Sequence, residues 1–535
     1  MRSSPLLAYS RILDGLLFDA TARVGLTHQL FGRPVGAGLR ALNPGMARGR
    51  LQLMARNGDT EPIAESIVLI PETTSELPPV AGILTLGEGN ALSHVQLLAG
   101  NLGIPNVVIA SNLLPVLEAR EKQTVILAVS PGGVVHLAED SALWHEYFAR
   151  QVIPEDSLIR PDLDKLDLQN THLFSLDELR SFHAGRVVGP KAANLGELKH
   201  HFPAAVTLGL VIPFAVFREF LNQPYPGSGD SAFDWMLEEY RRIEQLQPSH
   251  QALERNLLLE QFRHWIQTTD PGPVFRQRLK ARLESVFGPE GQYSLFVRSD
   301  TNVEDLPGFT GAGLNLTLPN VTGFENVLAA IREVWASAFS ERAFAWRQQR
   351  MMQPQHVYPS VLLMKSVAVD KSGVMVTIDT HTGQRGQLTL ATNLGIGGAV
   401  QGQSAEELLI EPDDGKIQLL ADATSATQYL LSANGGLVKQ RLPADGQVLD
   451  DADIERLIDF ARELSRKFPQ LDARGEKTAA AVEFGVLDGK LVLFQVRPYL
   501  KNRRVKKHAY LNRLDHGLER GTSLRLNLAA PPGNH

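Results

Sequence analysis

The chain has 535 residues, with 53 Lys+Arg against 59 Asp+Glu for a formal net charge of −6, and 43% of its residues are hydrophobic. That length suits two to four domains. The lack of a basic excess argues against a nucleic-acid or membrane-surface binder, and the complete absence of cysteine excludes disulfide scaffolds, zinc-thiolate sites, iron–sulfur clusters and Cys nucleophiles. No apolar run approaches the ~18 residues of a membrane helix. The opening MRSSPLLAYSRILDGLLFDA is broken by Tyr9, Arg11 and Asp14 and makes a poor signal peptide. A cytoplasmic, multi-domain α/β protein is expected.

Residues 1–43 carry Leu, Ile and Phe at helical spacing and predict one or two amphipathic helices before a Gly-rich exit. From 47 to 140, short apolar runs such as SIVLIP, GILTLG, NVVIA and TVILAV alternate with Gly, Pro and Asn, a strand-rich α/β texture. Residues 141–180 are charged and helical in pattern, with breaks at Pro154 and Pro161, and read as a linker. A larger α/β region follows, with a long helical section at 230–286. The tail from 503 opens with the basic run KNRRVKK and reads as a solvated end.

Four segments carry chemistry. In AGILTLGEGNALSHVQLLAGNLGIPNVVIA (81–110) the pattern predicts strand, Gly/Asn loop, helix, turn and strand, with Ser93 and His94 at the helix start. Unpaired backbone N–H groups and the helix dipole favour an anion there, so a His at that point can carry a phosphoryl group. An ordinary first-turn His is the plainer reading on local physics alone. In VVGPKAANLGELKHHFP (187–203), Lys191 lies at another helix start. A cation is not favoured at that end but makes sense beside a polyphosphate. In LFVRSDTNVEDLPGFTGAGLNLTLPNV (295–321), Arg298 ends an apolar strand. Asp300, Glu304 and Asp305 then lead into a loop with Gly308, Gly311 and Gly313, whose N–H groups can cradle phosphates.

The fourth segment, AVEFGVLDGKLVLFQVRPYL (481–500), predicts a β-hairpin. A two-residue Asp488-Gly489 turn would put Glu483 and Gln495 on opposite faces. A three-residue loop, Leu487-Asp488-Gly489 with Gly489 left-handed, pairs odd with odd positions and is the expectation. Glu483, Gln495 and Arg497 then share a face, where a carboxylate and an amide oxygen can bind Mg²⁺ while the Arg meets phosphate. A half-exposed hairpin with a polar face is the plainer alternative. Trp335 and Trp346 read as packing residues.

Taken together, these segments resemble the phosphoenolpyruvate synthase and pyruvate phosphate dikinase family. Ser93-His94 followed by Leu102-Gly103-Ile104-Pro105, with Pro44-Gly45 and Ala47-Arg48-Gly49-Arg50 before them, is similar to the family's swivelling phosphohistidine domain. Leu92 stands where the dikinases have a regulatory Thr. Residues 188–195 resemble Val-Gly-Gly-Lys-Gly-Ala-Asn-Leu, with Pro190 and Ala192 in place of glycines. Residues 295–313 resemble Val-Arg-Ser-Ser…Ala-Glu-Asp…Gly, and 334–347 resemble a Val-Trp-Ala-Ser…Arg-Ala…Tyr-Arg block, which brings in Arg342. The hairpin resembles Asp-Ile-Glu…Gln-Thr-Arg-Pro, with the family Asp falling on Ala481 and the Gln before it on Ala480.

The resemblance implies a swivelling β/β/α phosphohistidine domain followed by an ATP-grasp domain, the order of the glucan water dikinases. The expected limits are a helical segment 1–43, a phosphohistidine domain 44–143, a linker 144–180, an ATP-grasp domain 181–502 and a tail 503–535. It implies a dikinase-type phosphotransferase using ATP and Mg²⁺. His94 is the carrier, Lys191, Arg298, Arg342, Glu483, Gln495 and Arg497 bind nucleotide, and Glu483 and Gln495 hold the metal. A pyruvate-binding barrel takes about 250 residues, more than the unassigned segments offer. The acceptor is therefore expected to be a small molecule, a polysaccharide or a partner subunit, with no nucleic acid or membrane involved. The alternatives are an ATP-binding regulatory or pseudoenzyme module, suggested by Ala481, and a partner subunit of a split enzyme.

Overall fold

The computed structural model describes residues 27–35, 38–54, 66–70, 79–86, 92–150, 158–304, 306, 316–380, 382–442, 447–472, 475–500, 508–516 and 518. The Gly-rich loops 87–91 and 307–315, with Asp305, lie outside these residues. The chain divides into two compact units, one of Met1–Ala91, Val95–Pro154 and Lys501–His535, the other of Leu92–His94 and Glu155–Leu500.

The first unit holds a nine-stranded mixed sheet. Its strands are β1 (His28–Leu30), β2 (Arg33–Val35), β3 (Leu39–Asn43), β4 (Gly45–Leu53), β5 (Ile67–Ile70), β6 (Gly82–Thr85), β7 (Asn106–Ile109), β8 (Thr124–Val129) and β9 (Val135–Glu139). They run in the order β2-β1-β9-β8-β4-β5-β6-β7-β3. Strands β5, β6 and β7 are short, parallel and buried at every residue, which is why they read as unbroken apolar runs. The helix His94–Leu102 joins β6 to β7. Its Val95, Leu98, Ala99 and Leu102 form one buried face, the i, i+3, i+4, i+7 stripe of a helix laid on a sheet.

Two sequence motifs meet here. A Cβ on Gly45 would lie 2.3 Å from the Gly103 carbonyl oxygen and 2.9 Å from Pro105 N, so only glycine permits the approach of Pro44-Gly45 to the Gly-Ile-Pro turn. Asn43 locks that turn by donating to the carbonyls of Ala99 and Ile104. Gly103, at φ 71°, supplies the left-handed residue that ends the helix.

Three boundaries differ from the sequence reading. Within the expected helical segment 1–43, His28–Leu30, Arg33–Val35 and Leu39–Asn43 are strands, each too short for its apolar spacing to separate period 2 from period 3.6; residues 1–26, where the helices were expected, lie outside the described residues. In the 144–180 segment the expected helical pattern is present in the helix Ala142–Ala149, capped by Ser141, but Phe174–Ser175 (β10) is a strand that pairs with a strand of the second unit. Part of the expected tail is also structured. The helix Ala509–Leu514 buries Leu511 against Ala128, Asp515 accepts from the Gly132 N–H at 2.8 Å, and His508 Nε2 lies 3.0 Å from the Tyr147 hydroxyl.

The second unit contains two antiparallel sheets. The five-stranded sheet runs β10-β11-β14-β12-β13, with β11 (Gly209–Ile212), β12 (Leu295–Thr301), β13 (Thr317–Val321) and β14 (Pro359–Lys365). The six-stranded sheet runs β18-β17-β16-β15-β21-β22, with β15 (Lys371–Ile378), β16 (Arg385–Leu394), β17 (Glu406–Glu411), β18 (Lys416–Ala421), β21 (Ala480–Leu487) and β22 (Lys490–Pro498). A separate ribbon pairs β19 (Thr427–Leu431) with β20 (Leu437–Arg441). The helix Pro190–His201 buries Ala192, Ala193, Leu195 and Leu198 in a core that also takes Val211 and Leu362 from the five-stranded sheet and Val482, Phe484, Leu493 and Val496 from the hairpin. The predicted helical section resolves into Ala232–Glu244, Pro248–Thr268 and Pro273–Phe287, each of the last two opened by a proline. Trp335 and Trp346 are fully buried.

Candidate functional site

The site is organised by β12. Alternation along the strand puts Phe296, Arg298 and Asp300 on one face, and each polar member anchors a different element. Asp300 holds the helix Pro190–His201. That helix has Gly189 at its N-cap and Pro190 in its first turn, so it carries no capping side chain of its own. Its orphaned N–H groups need an acceptor from elsewhere. Asp300 provides it: Oδ1 accepts from Lys191 N at 3.0 Å and Oδ2 from Ala192 N at 2.9 Å. A Cβ on Gly189 would sit 2.1 Å from Asp300 Oδ1, which explains the glycine. Ser360 on β14 donates to the Asp300 carbonyl at 2.8 Å and accepts from Gly189 N at 3.1 Å.

The acceptor at this helix start is thus a side chain of the protein itself, Asp300, beside Lys191. The Lys191 ammonium donates to the Ser299 carbonyl and lies 3.6 Å from Glu304 Oε1. Asp300 is fully buried. Burial and the neighbouring Glu304 push its carboxyl well above the usual range, against the pull of Lys191 and the two N–H bonds.

Arg298 holds the hairpin. Its Nη1 donates to the Phe494 carbonyl at 2.8 Å, and its Nη2 reaches Gln495 Oε1 at 2.9 Å and Glu483 Oε2 at 3.3 Å. The expected sharing of a face by Glu483 and Gln495 is present, but for a different reason. The turn has two residues, Asp488 and Gly489, both left-handed at φ 48° and 70°, with Leu487 paired to Lys490. That register would oppose Glu483 to Phe494. A β-bulge between Glu483 and Phe484 adds one residue on β22 and restores Glu483 opposite Gln495 and Ala481 opposite Arg497. The apolar run LVLF gave no sign of it.

The structure therefore brings Lys191, Arg298, Glu483 and Gln495 to one strand and the two elements it anchors. Asn194 Nδ2, 3.4 Å from the Val496 carbonyl, ties the helix to β22 directly. Arg497 is buried two residues beyond Gln495, on the same face. Arg342 lies elsewhere in the unit, in the helix Glu341–Arg350. His94 is the first residue of the helix His94–Leu102.

Among the described residues no group of three or more His, Asp or Glu side chains is placed to hold a metal ion. The oxygens of Glu483 and Gln495 nonetheless converge on one cationic centre, the Arg298 guanidinium. One carboxylate and one amide oxygen are a donor set that suits Mg²⁺ when phosphate and water complete its shell.

Residues 185–516 match the family described as pyruvate phosphate dikinase, AMP/ATP-binding domain. The chain is 32% identical over 193 residues to rifampicin phosphotransferase of Bacillus subtilis, covering 36% of this chain and 22% of that one. It is 28% identical over 331 residues to a probable phosphoenolpyruvate synthase of Archaeoglobus fulgidus, covering 60% and 41%. To rifampicin phosphotransferase of Bacillus cereus it is 27% identical over 349 residues, covering 63% and 35%. It thus spans between 22% and 41% of the length of these relatives. Among solved structures, D-alanine-D-alanine ligase from Helicobacter pylori is similar at 10% identity and a TM-score of 0.19, over 42% of this chain and 48% of that one, a likeness too slight to assign a fold.

Proposed function

The chain belongs to the pyruvate phosphate dikinase AMP/ATP-binding domain family, and from that premise we propose that it is an ATP-dependent phosphotransferase of the dikinase type. Nucleotide binds in an ATP-grasp cleft over β12, and His94 carries the phosphoryl group to an acceptor. The observation that carries this reading is the assembly on one strand: Arg298 joined to Glu483 and Gln495, and Asp300 joined to the helix of Lys191. Three segments spread over some three hundred positions contribute to it, within the residues matched to the nucleotide-binding family.

Lys191, Arg298 and Arg497 meet the phosphates, and Arg342 contributes a further cation. Glu483 and Gln495 would hold Mg²⁺, which would supply positive charge against the phosphate chain. A neutral imidazole nitrogen of His94 attacks the β-phosphorus of ATP, the P–O bond to AMP breaks, and AMP leaves. The γ-phosphate passes to water or to phosphate. The work of the protein is alignment and charge stabilisation. The phosphoryl group then passes from His94 to a small molecule, a polysaccharide or a partner subunit.

Incubation with ATP labelled in the β-phosphoryl group, quenched at alkaline pH, is expected to leave stoichiometric acid-labile label on the wild type and none on His94→Ala. Label retained by His94→Ala would refute the carrier assignment. A second reading, an ATP-binding regulatory module, has one observation in its favour: Ala481 puts a methyl group opposite Arg497, where the family motif has a carboxylate. That reading expects nucleotide binding without any label.

A further inference from the structure

The helix His94–Leu102 is tied to its sheet by side-chain hydrogen bonds near both ends. Asn43 secures the C-terminal end through the carbonyls of Ala99 and Ile104. Gln96 secures the first turn: its Oε1 accepts from Asn106 Nδ2 at 2.7 Å. Asn106 is the first residue of β7, paired with Ile83 of β6 on one side and with Asn43 of β3 on the other, and it is fully buried. It is therefore a fixed anchor, and Gln96 is the link from the helix start to it.

As a stabiliser the pair is poor. Gln96 Nε2 and Asn106 Oδ1 are buried and make no hydrogen bond, so two amide side chains leave water for one bond between them. Apolar groups of the same shape would serve stability as well or better. What the bond adds is direction. The apolar stripe of Val95, Leu98, Ala99 and Leu102 packs without directional preference, whereas a hydrogen bond weakens steeply when its geometry shifts. At 3.6 residues per turn, positions 94 and 96 flank that stripe on opposite sides, so any rotation of the helix that lifts Gln96 from Asn106 carries position 94 round with it. With a side-chain radius of ~5 Å, a rotation of about 10° moves an atom by about 1 Å, a displacement that can cost about a hundredfold in rate.

We propose that Gln96 is a positioning residue for phosphoryl transfer to His94: its bond to Asn106 sets the rotation of the helix and so the line along which His94 meets the phosphorus. The inference rests on the reading of His94 as the carrier and adds to it the residue pair that aims the carrier.

The test is single-turnover labelling of the full chain with ATP labelled in the β-phosphoryl group. The double variant Gln96→Met/Asn106→Leu removes both amides at similar volume, so its resistance to urea should match or exceed that of wild type. Its ATP affinity by calorimetry should be unchanged, because the nucleotide-binding residues lie in the other unit. Its labelling rate at saturating ATP should nonetheless fall by about tenfold to a hundredfold. Gln96→Glu keeps the acceptor oxygen for Asn106 and should label within about threefold of wild type. If the double variant folds poorly, Gln96→Met compared with Gln96→Glu decides the matter. A wild-type labelling rate in the folded double variant, a fall matched by weaker ATP binding or by loss of folded protein, or labelling by Gln96→Glu as slow as by Gln96→Met would each overturn the proposal. No label on the wild type would instead overturn the carrier reading, and this inference with it.

Discussion

Asp300 offers the sharpest test of how the site is built. Asp300→Ala removes the acceptor of two backbone N–H bonds, from Lys191 and Ala192, in a place with no solvent to replace it. Losing a helix cap costs about 1–2 kcal/mol, and a second orphaned donor adds about 1–3 kcal/mol. Relief of a buried carboxyl beside Glu304 works the other way, leaving a net loss of about 2–4 kcal/mol. The pH dependence separates this account from its rival. Burial and Glu304 hold the Asp300 carboxyl above the ordinary range, so the folded protein keeps a proton that the unfolded chain releases. The stability tied to that proton is full below the ordinary carboxylate pKa and is lost as pH rises through the folded one. Asp300→Asn imitates the protonated acid and does not titrate. The stability advantage of wild type over Asp300→Asn should therefore narrow as pH rises from 5 to 9. Urea unfolding followed by tryptophan fluorescence reports it, because four of the five tryptophans lie in the second unit. An advantage that is constant or grows with pH would refute the reasoning and show a carboxylate held ionised by Lys191 and the helix start.

Other changes test neighbouring links. Arg497→Ala should weaken ATP binding by about 1–3 kcal/mol, the range for losing one partner of a charge-assisted bond, as measured by calorimetry. Asn43→Ala should destabilise the first unit by about 1–3 kcal/mol, because it releases the carbonyls of Ala99 and Ile104 together; the Trp144 signal on urea unfolding reports it. Gly45→Ala should be worse, because backbone and ring atoms at 2.3 to 3.0 Å cannot give way as a flexible side chain would.

Much of the site was legible because its motifs are local. Strand, Arg298 and hairpin could each be read from a short window, and the helix expected over 92–101 between a Gly/Asn loop and a turn is observed as His94–Leu102. What escaped depends on partners far apart in the chain. Asp300 looked like one of three acidic residues before a Gly-rich loop. Its role as the cap of a helix that starts at Pro190 appears only when β12 is laid beside that helix. A signal was present in Gly189-Pro190: a helix start with no capping side chain must be capped from outside. The bulge at Phe494 left no such trace. Asp-Gly correctly indicated a two-residue turn, and the face-sharing of Glu483 and Gln495 was right only through the wrong turn. Residues 28–43 failed for want of length, since three strands of three to five residues carry too few apolar positions to fix a period.

The charges of the site set up one further expectation. Lys191 is already met by Ser299 and Glu304, and Arg298 by Glu483, Gln495 and the Phe494 carbonyl. A nucleotide that draws Arg298 toward its phosphates must detach it from the carboxylate and the amide, leaving two partly buried oxygens without their cation. Such oxygens are costly unless a new cation takes them, and Glu483 and Gln495 would hold a hard divalent ion in its place. Binding of ATP and of Mg²⁺ should therefore be mutually reinforcing, each raising the affinity of the other by the same factor. Glu483→Gln removes the charge that Arg298 must leave, so it should bind ATP better than wild type without Mg²⁺ and gain much less from its addition. Calorimetric titrations of ATP with and without Mg²⁺ for the two proteins give all four affinities. If Mg²⁺ strengthens ATP binding equally in wild type and Glu483→Gln, the exchange of Arg298 for a metal at this carboxylate is wrong.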